Sequence, residues 1–505
     1  MKEEHRLVLA FVISLVIIIL FSKIYHQPRP QPNQISAPTQ EIQKENTGGA
    51  TLPQPKSKEV VLLETELVRL TLGTAGGHLE EIALKQFRRP GEPFFTIGSR
   101  AFLEYPAQDT TSWPATDYQV SRQPQTIIFR SSPRAGLEVE KRYHLAPGRY
   151  TLGCQITLTN HTSQDIILNN YLVLGGIVNL AEEIKDRATA LELKAGTPGG
   201  VIKKHLSPRI QSEDGKECSW VGLLSQYRVL LLRPEKSAPW ILTRSGQELG
   251  FGLRYPEVII PAGGNRQLDF SLYAGPSDHF ILSQEIKEPV LGNGFFASMG
   301  RFLFAVLRGI HQVIPNWGWS IIILTLLVKV AFYPLTRASL HSMKEMQRLR
   351  PYMKDLQDKY RDNPQQMQKE IMNLYREYKI NPFSGCLPML VQFPIFIGLF
   401  VSLRNSIFLR GAPFILWITD LSQPDCLFRI SGFPVNILPI IMAGTSFWQQ
   451  KLMPQEPSQK GLALLMPLMF LFLFYNFSSG LLLYWVTMNL AGLLEQYLVT
   501  QKTKK

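Results

Sequence analysis

Lys329 lies inside the apolar run 321–332, with Thr325 one helical turn earlier on the same face. An ammonium among hydrocarbon side chains costs about 2.5–3.5 kcal/mol on insertion scales, so it must face water or a polar partner, or snorkel along its stem to the headgroups. The residue alone leaves both readings open. Other apolar stretches carry Gln392, Thr445, Ser446, Asn476, Thr487, Asn489 and Glu495. Side chains of these types either tie helices together by hydrogen bonds or line a wet space. Thr325, Gln392, Thr445 and Asn489 are the candidate polar lining around Lys329, and Glu495 can also be read as simply interfacial. The chemistry on offer is charge attraction and hydrogen bonding, without bond making. The chain has no HExxH, GxSxG, GxxxxGK[ST] or CxxC pattern, so the reading is not an enzyme and calls for no cofactor and no metal.

These residues need helices to hold them. Apolar spans are predicted at 317–335, 387–403, 434–448, 462–477 and 481–499, several of them near the lower limit for crossing about 30 Å of hydrocarbon. Pro388, Pro394, Pro439 and Pro467 interrupt them, each removing a backbone donor and opening gaps between helices. The connection 337–379 holds ten Lys/Arg against six Asp/Glu, 449–460 holds Lys451 and Lys460, and the chain ends on Lys502, Lys504 and Lys505. The positive-inside rule puts these segments in the cytoplasm and 404–432 and 478–480 on the other side. Within 338–380 a helical hairpin is expected. Its Met343, Met346, Met353 and Met367 form an adaptable apolar stripe, or else the two arms simply pack on each other.

Ahead of the spans, Lys2 and Arg6 precede apolar residues 7–21 with no small-x-small cleavage site after them, which predicts an uncleaved anchor over 1–26. Residues 27–58, with six prolines and few large apolar side chains, read as a flexible tether. From 59 to 275 the pattern turns to period two, as in Leu137, Val139 between Glu138 and Glu140. Runs 137–145 and 150–159, joined by only 146–149, predict an antiparallel hairpin within a large antiparallel β-sandwich. Phe295, Met299, Phe302, Leu303, Val306 and Ile310 predict an amphipathic helix over 294–315, lying in the membrane interface or packed on the sandwich. Cys154 and Cys218 are either a disulfide or two buried small hydrophobes.

The fold class expected is therefore a multi-domain membrane protein. It has an α-helical transmembrane core, made of the N-terminal anchor and a five-helix bundle over 316–500, a large antiparallel β-sandwich domain on the side opposite the cytoplasm, and a basic cytoplasmic tail at 501–505. Across all 505 residues, 53 Lys+Arg outnumber 40 Asp+Glu, yet 59–275 is nearly balanced with 24 against 23. The basic excess borders apolar stretches, so the phospholipid bilayer is the expected partner and direct nucleic-acid readout is not expected.

Trp317-Gly318-Trp319-Ser320, the Tyr333-Pro334-Leu335-Thr336 exit, Asn381-Pro382-Phe383-Ser384-Gly385-Cys386, Gln392-Phe393-Pro394, Leu416-Trp417-Ile418-Thr419-Asp420-Leu421 and Ser479-Gly480-Leu481 closely resemble the YidC/Oxa/Alb membrane protein insertase family. The resemblance covers about 295–500, and the anchor with its β domain looks like the form found in bacteria with two membranes. The alternation of sides along the spans already puts both termini in the cytoplasm; the resemblance implies an inner-membrane location with the β domain in the periplasm, and a hydrophilic groove open to cytoplasm and lipid but closed toward the periplasm. It implies a groove cation, at Lys329, that attracts the polar or acidic part of a nascent client. It also implies a slide for the client's apolar segment along the third and fifth spans of the full chain, at Pro394, Phe396, Phe400, Met469, Leu473 and Asn476. Lysine stands where the family commonly has arginine, keeping the charge but not the planar fork, and Ser478 stands where many relatives have proline.

The function expected is membrane protein insertase and folding chaperone. Its partners are nascent membrane-protein clients, the Sec translocon, and the ribosome through the cytoplasmic hairpin and basic tail. A small-solute transporter using the same polar cavity and a membrane-anchored carbohydrate-binding protein are the alternatives from other classes. The first predicts solute flux in liposomes and the second sugar binding by 59–275.

Overall fold

The computed structural model describes residues 59–501 apart from 88–94, 107–115, 180–190, 207–211, 287–289, 292–293, 362, 379–386 and 453–459. The expected anchor, the tether and the basic tail beyond Gln501 lie outside the described residues.

Burial alternates residue by residue along Leu137–Leu145 and Thr151–Asn160. The two strands pair antiparallel with Leu145 opposite Leu152. Gly148, at φ +69°, supplies the left-handed step of the short turn between them. The region builds two nine-stranded sheets. In the first, Ile166–Asn179 is central and pairs with Glu248–Ile260; in the second, Asn265–Pro276 runs between Arg228–Pro234 and Thr151–Asn160. Their inner faces share one core, to which Leu70, Tyr171 and Phe251 come from the first sheet and Phe129, Tyr143 and Trp220 from the second. Cys154 and Cys218 are both free and buried, so they act as small hydrophobes and do not form a disulfide.

One inward position on Leu137–Leu145 is charged. Lys141 is fully buried, and its ammonium donates to the carbonyls of Gly76 and Phe102, the latter at 3.0 Å, and pairs with Glu104 of the opposite sheet. Beside it His78 is also buried, with Nδ1 2.7 Å from the Ala75 carbonyl. Burial, reinforced by the Lys141 charge, pushes the His78 imidazole down to about 3. The unfolded chain takes up a proton near pH 6.5 that the folded chain refuses until about pH 3, so this histidine contributes stability that is complete above pH 6.5 and declines as the pH falls. We expect the unfolding free energy to drop by up to about 1.4 kcal/mol per pH unit below 6.5 through this group. His78→Phe should flatten that slope in unfolding measurements between pH 4 and 7; parallel slopes for both proteins would refute the assignment.

Nine helices follow among the described residues. Helix α1 (His279–Glu285) is capped by Asp278, whose carboxylate accepts from the N–H groups of Phe280 and Ile281. Helix α2 (Phe295–Val313) buries Gly300, Leu303, Phe304 and Leu307 and leaves Phe295, Phe302 and Val313 exposed. Its buried face rests on a later helix of the helical region rather than on the sandwich alone, because Gly300 meets Gly398 there. Helix α3 (Trp317–Arg348) starts at the Asn316 cap and continues through Pro334 for 32 residues, about 48 Å at 1.5 Å per residue. Met343 and Met346 thus belong to the Lys329 helix itself. The predicted cytoplasmic hairpin is reduced to α4 (Arg350–Lys359) and α5 (Pro364–Glu377), which meet where Tyr375 donates to Met353 Sδ at 3.3 Å.

The remaining helices are α6 (Leu387–Asn405), α7 (Ile437–Leu452), α8 (Lys460–Phe474) and α9 (Ser479–Gln501). Among the described residues α3 is the one helix long and apolar enough to cross a membrane, and the apolar helices Val391–Asn405 and Leu465–Phe474 are shorter. Helices α7 and α8, with 16 and 15 residues, reach about 24 and 22 Å, short of a standard hydrocarbon core.

The segment after α6 joins the two regions. Ile407 is fully buried in the sandwich core, Arg410 Nη1 donates to the Phe87 carbonyl at 2.8 Å, and Phe87 meets Phe408 edge to face. Further along, Asp425 Oδ2 accepts from Trp417 Nε1 at 3.0 Å and from the first-turn N–H groups of Ile437 and Leu438, which caps α7. Ser479 N–H and Gly480 N–H, at the start of α9, donate to the Gln423 and Leu421 carbonyls at 2.7 and 2.9 Å. The Trp417–Leu421 and Ser479-Gly480 motifs therefore lock two loops at one end of the helical region.

Candidate functional site

Helices α3, α6, α7, α8 and α9 line a half-open cavity of about 460 Å3. The face that α9 turns to it repeats at three- and four-residue spacing: Tyr484 and Trp485, Met488 and Asn489, Gly492, then Glu495 and Gln496. Helix α3 answers with Val328 and Lys329, Phe332, Thr336, Ser339 and Met343. From Trp485 to Glu495 this lining extends about 15 Å along the helix. It changes from aromatic to polar on the way.

The aromatic part is a connected set. Phe396 stands edge-on to Trp485 at 4.8 Å between centroids, and Phe470 and Phe474 approach the same indole at 5.7 and 4.9 Å. Phe477 continues the row, 4.7 Å from Phe474 and 5.9 Å from Phe400. In the polar part, Gln392 Nε2 donates to Tyr484 Oη at 2.5 Å, and Asn489 Nδ2 donates to Ser446 Oγ at 2.8 Å and Thr445 Oγ1 at 3.1 Å.

Lys329 Nζ lies 3.0 Å from Glu495 Oε2, with the two side chains 17% and 13% exposed. The cation that stands alone in the apolar run 321–332 is therefore one half of an ion pair between α3 and α9. Gly492 lies beside the pair: a Cβ there would stand 2.7 Å from Gln449 Nε2 and in ordinary contact, 3.5 Å, with Lys329 Nζ.

The cavity brings together Lys329, Gln392, Ser446, Asn489, Glu495, Phe396 and Met343 of the residues singled out from the sequence. It does not include Thr325, which is fully buried with its hydroxyl donating to the Ile321 carbonyl at 2.7 Å. Thr445 also stands outside the lining, bonding the Ile441 carbonyl of its own helix while accepting from Asn489. Pro394 sits inside α6 away from the cavity, and Phe400 joins the aromatic row beyond it. Met469, Leu473 and Asn476 lie outside the lining too; Leu473 is 37% exposed and Asn476 is exposed. Met346, Met353 and Met367 are half-buried on α3, α4 and α5. Sequence reasoning missed Glu495 as the partner of Lys329, Gly492 beside the pair, and Phe470 and Phe474 as the aromatic wall. The spacing 485, 488/489, 492, 495/496 was the signal that could have found the first two.

These features define a two-part protein, a large β-rich domain followed by a helical C-terminal region that holds the cavity. Residues 309–505 match the family model described as 60Kd inner membrane protein, and 60–330 match that of the YidC periplasmic domain. The chain belongs to the YidC membrane protein insertase family. It is 32% identical over 498 residues to the membrane protein insertase YidC of Pseudomonas entomophila, covering 92% of this chain and 87% of the relative. It is 28% identical over 567 residues to that of Syntrophus aciditrophicus, covering 99% and 100%. A crystal structure described as an active YidC insertase with the first transmembrane domain resolved aligns over 89% of this chain and 95% of its own, at 16% identity and a TM-score of 0.41. The relatives are named as insertases, and the family is not one of enzymes.

Proposed function

We propose that this chain inserts nascent proteins into the inner membrane and assists their folding, using the cavity between α3, α6, α7, α8 and α9. The observation that carries the reading is the lining itself, which turns from an aromatic wall around Trp485 to an ionic and amide-rich end around Lys329. A membrane-protein client has the same two parts, an apolar helix and a polar flank. Moving the flank through hydrocarbon leaves each unsatisfied polar group costing several kcal/mol, and a wet space spanning part of the bilayer shortens that path. The client's apolar segment leaves along α6 and α8, past Phe396, Phe400, Met469 and Leu473, and its burial in lipid, at about 25 cal/mol per Å2, drives the step without a nucleotide.

In this reading all five helices cross a bilayer thinned locally to suit the short α7 and α8. The N-terminal anchor adds a sixth span, and both termini are cytoplasmic. The ten Lys/Arg of 337–379 support that orientation. The protein acts alone on small clients and beside the Sec translocon on larger ones, and the ribosome is met by the α4–α5 hairpin and the basic tail.

The test is insertion into proteoliposomes of two clients that differ only in Asp or Asn residues in the translocated tail. Lys329→Ala should lower insertion of the Asp client about tenfold, the worth of one charge-assisted contact, and leave the Asn client nearly unchanged, while Lys329→Arg is tolerated. Equal insertion of both clients by wild type and Lys329→Ala would remove the charge-attraction role.

A further inference from the structure

We propose that Glu495 is a built-in, displaceable counter-ion. It occupies Lys329 while the cavity is empty and gives way to a carboxylate of the client, so that it sets which clients are accepted. The inference rests on the insertase reading and deepens it by naming the residue that tunes specificity.

A buried lysine and a half-buried one in this chain, Lys141 and Lys329, make the contrast. Lys141 in the sandwich is wholly enclosed; its ammonium donates to the Gly76 and Phe102 carbonyls and is ion-paired with Glu104. Nothing from outside can reach it. Lys329 has the same chemistry in a different setting. Among the described residues its ammonium has Glu495 as its one hydrogen-bond partner, at 3.0 Å. Two further donors are left for water or an incoming acceptor. Its side chain is 17% exposed and that of Glu495 13%, both into a cavity large enough for a peptide segment. Gly492, one turn before Glu495 on α9, offers no side chain to cover the pair.

The pair also settles the net charge of the empty site. Among the described residues, Lys329 and Glu495 are the Lys, Arg, Asp and Glu members of the lining, so that lining is neutral as a whole. A client carboxylate therefore competes with Glu495 for the ammonium instead of meeting a bare cation. An amide or hydroxyl, with weaker attraction for the ammonium, competes poorly. Glu495 thus raises the threshold for capture, and the displaced carboxylate is free to rebind Lys329 once the client's tail moves on.

The experiment uses the full chain in proteoliposomes with the Asp-tailed and Asn-tailed clients, and reads the ratio of their insertion. Glu495→Gln keeps the side-chain shape and removes the competing charge. It should raise the Asp/Asn ratio about fivefold, which is what a partly exposed ion pair supports. Glu495→Asp, one methylene shorter, lengthens the contact and should raise the ratio by a smaller factor, about twofold. This variant carries the test if Glu495→Gln does not accumulate in the membrane. In Lys329→Ala/Glu495→Gln the gain should vanish.

An unchanged ratio in whichever Glu495 variant accumulates overturns the inference. So does an equal rise for both clients, or a gain that persists without Lys329. If Glu495→Gln has no effect while Lys329→Ala still loses the Asp client, the counter-ion role falls and the groove reading stands. If neither variant distinguishes the clients, the reading beneath it falls as well.

Discussion

Lys141→Ala should destabilise the β domain by about 3–5 kcal/mol, the cost of breaking a buried ion pair by removing one partner. The side chain is fully buried, and the carboxylate it would abandon, Glu104, is 2% exposed. Tyr118 Oη, 3.4 Å from Glu104 Oε1, is a poor substitute for an ammonium. The Gly76 and Phe102 carbonyls lose their donor at the same time. Burial already pushes the Glu104 carboxyl up, with the Lys141 charge pulling the other way, so the variant would drive that group toward the protonated form. The prediction has a second half. Lys141→Met/Glu104→Gln, which removes both charges and keeps the volume, should recover most of the loss, since a buried pair is seldom worth more than well-packed neutral side chains. Pulse proteolysis of the full chain in detergent across a urea series measures both. A loss below about 1 kcal/mol in the single variant would mean the pair is solvated in solution.

Half of that ion pair is legible in the amino-acid pattern. Period two along 137–145 places Leu137, Val139, Lys141, Tyr143 and Leu145 on one face, and the burial pattern follows it. A lysine at an inward position demands a carboxylate, but the alternation does not say which one. Glu104 lies 37 residues upstream and on the other sheet, and only the packing of the two sheets brings it there. The same limit applies in the helical region. Lys329 stands out because an ammonium in an apolar run needs an explanation, whereas its partner is 166 residues away. Thr325 and Thr445 mislead for the opposite reason. A threonine on a helix can satisfy its hydroxyl on the carbonyl four residues back, as both do here, so polarity on an apolar helix does not imply a wet face. Pro334 is a third case. Proline lowers the odds of a continuing helix, but α3 runs through it and carries Met343 into the cavity lining. Hydrophobic class and period were local and legible; pairings between distant helices were not.

The glycines of α2 provide a prediction with two signs on one helix. At Gly300 a Cβ would stand 2.4 Å from Ser402 Oγ and 2.5 Å from the Gly398 carbonyl of α6, and at Gly398 it would stand 3.0 Å from the Gly300 nitrogen. The two helices therefore touch backbone to backbone, and only glycine permits the approach. At Gly309, nine residues on in the same helix, a Cβ would meet nothing within 4 Å. Gly309→Ala should stabilise the protein by roughly 0.5–1 kcal/mol through helix propensity alone. Gly300→Leu should cost more than the usual penalty of about 1–3 kcal/mol for overpacking, because the atom in the way is a carbonyl that cannot rotate aside. Thermal unfolding in detergent gives the sign of each, and a gain in both variants would mean that α2 is not seated on α6. The consequence reaches the cavity, since Phe396 is two residues from Gly398 on α6 and forms the aromatic wall with Trp485. Prising α2 off α6 should therefore loosen the apolar end of the cavity while leaving the Lys329–Glu495 pair, held by α3 and α9, in place. Gly300→Leu is expected to impair Asp-tailed and Asn-tailed clients alike, and that pattern separates it from every variant of the ion pair.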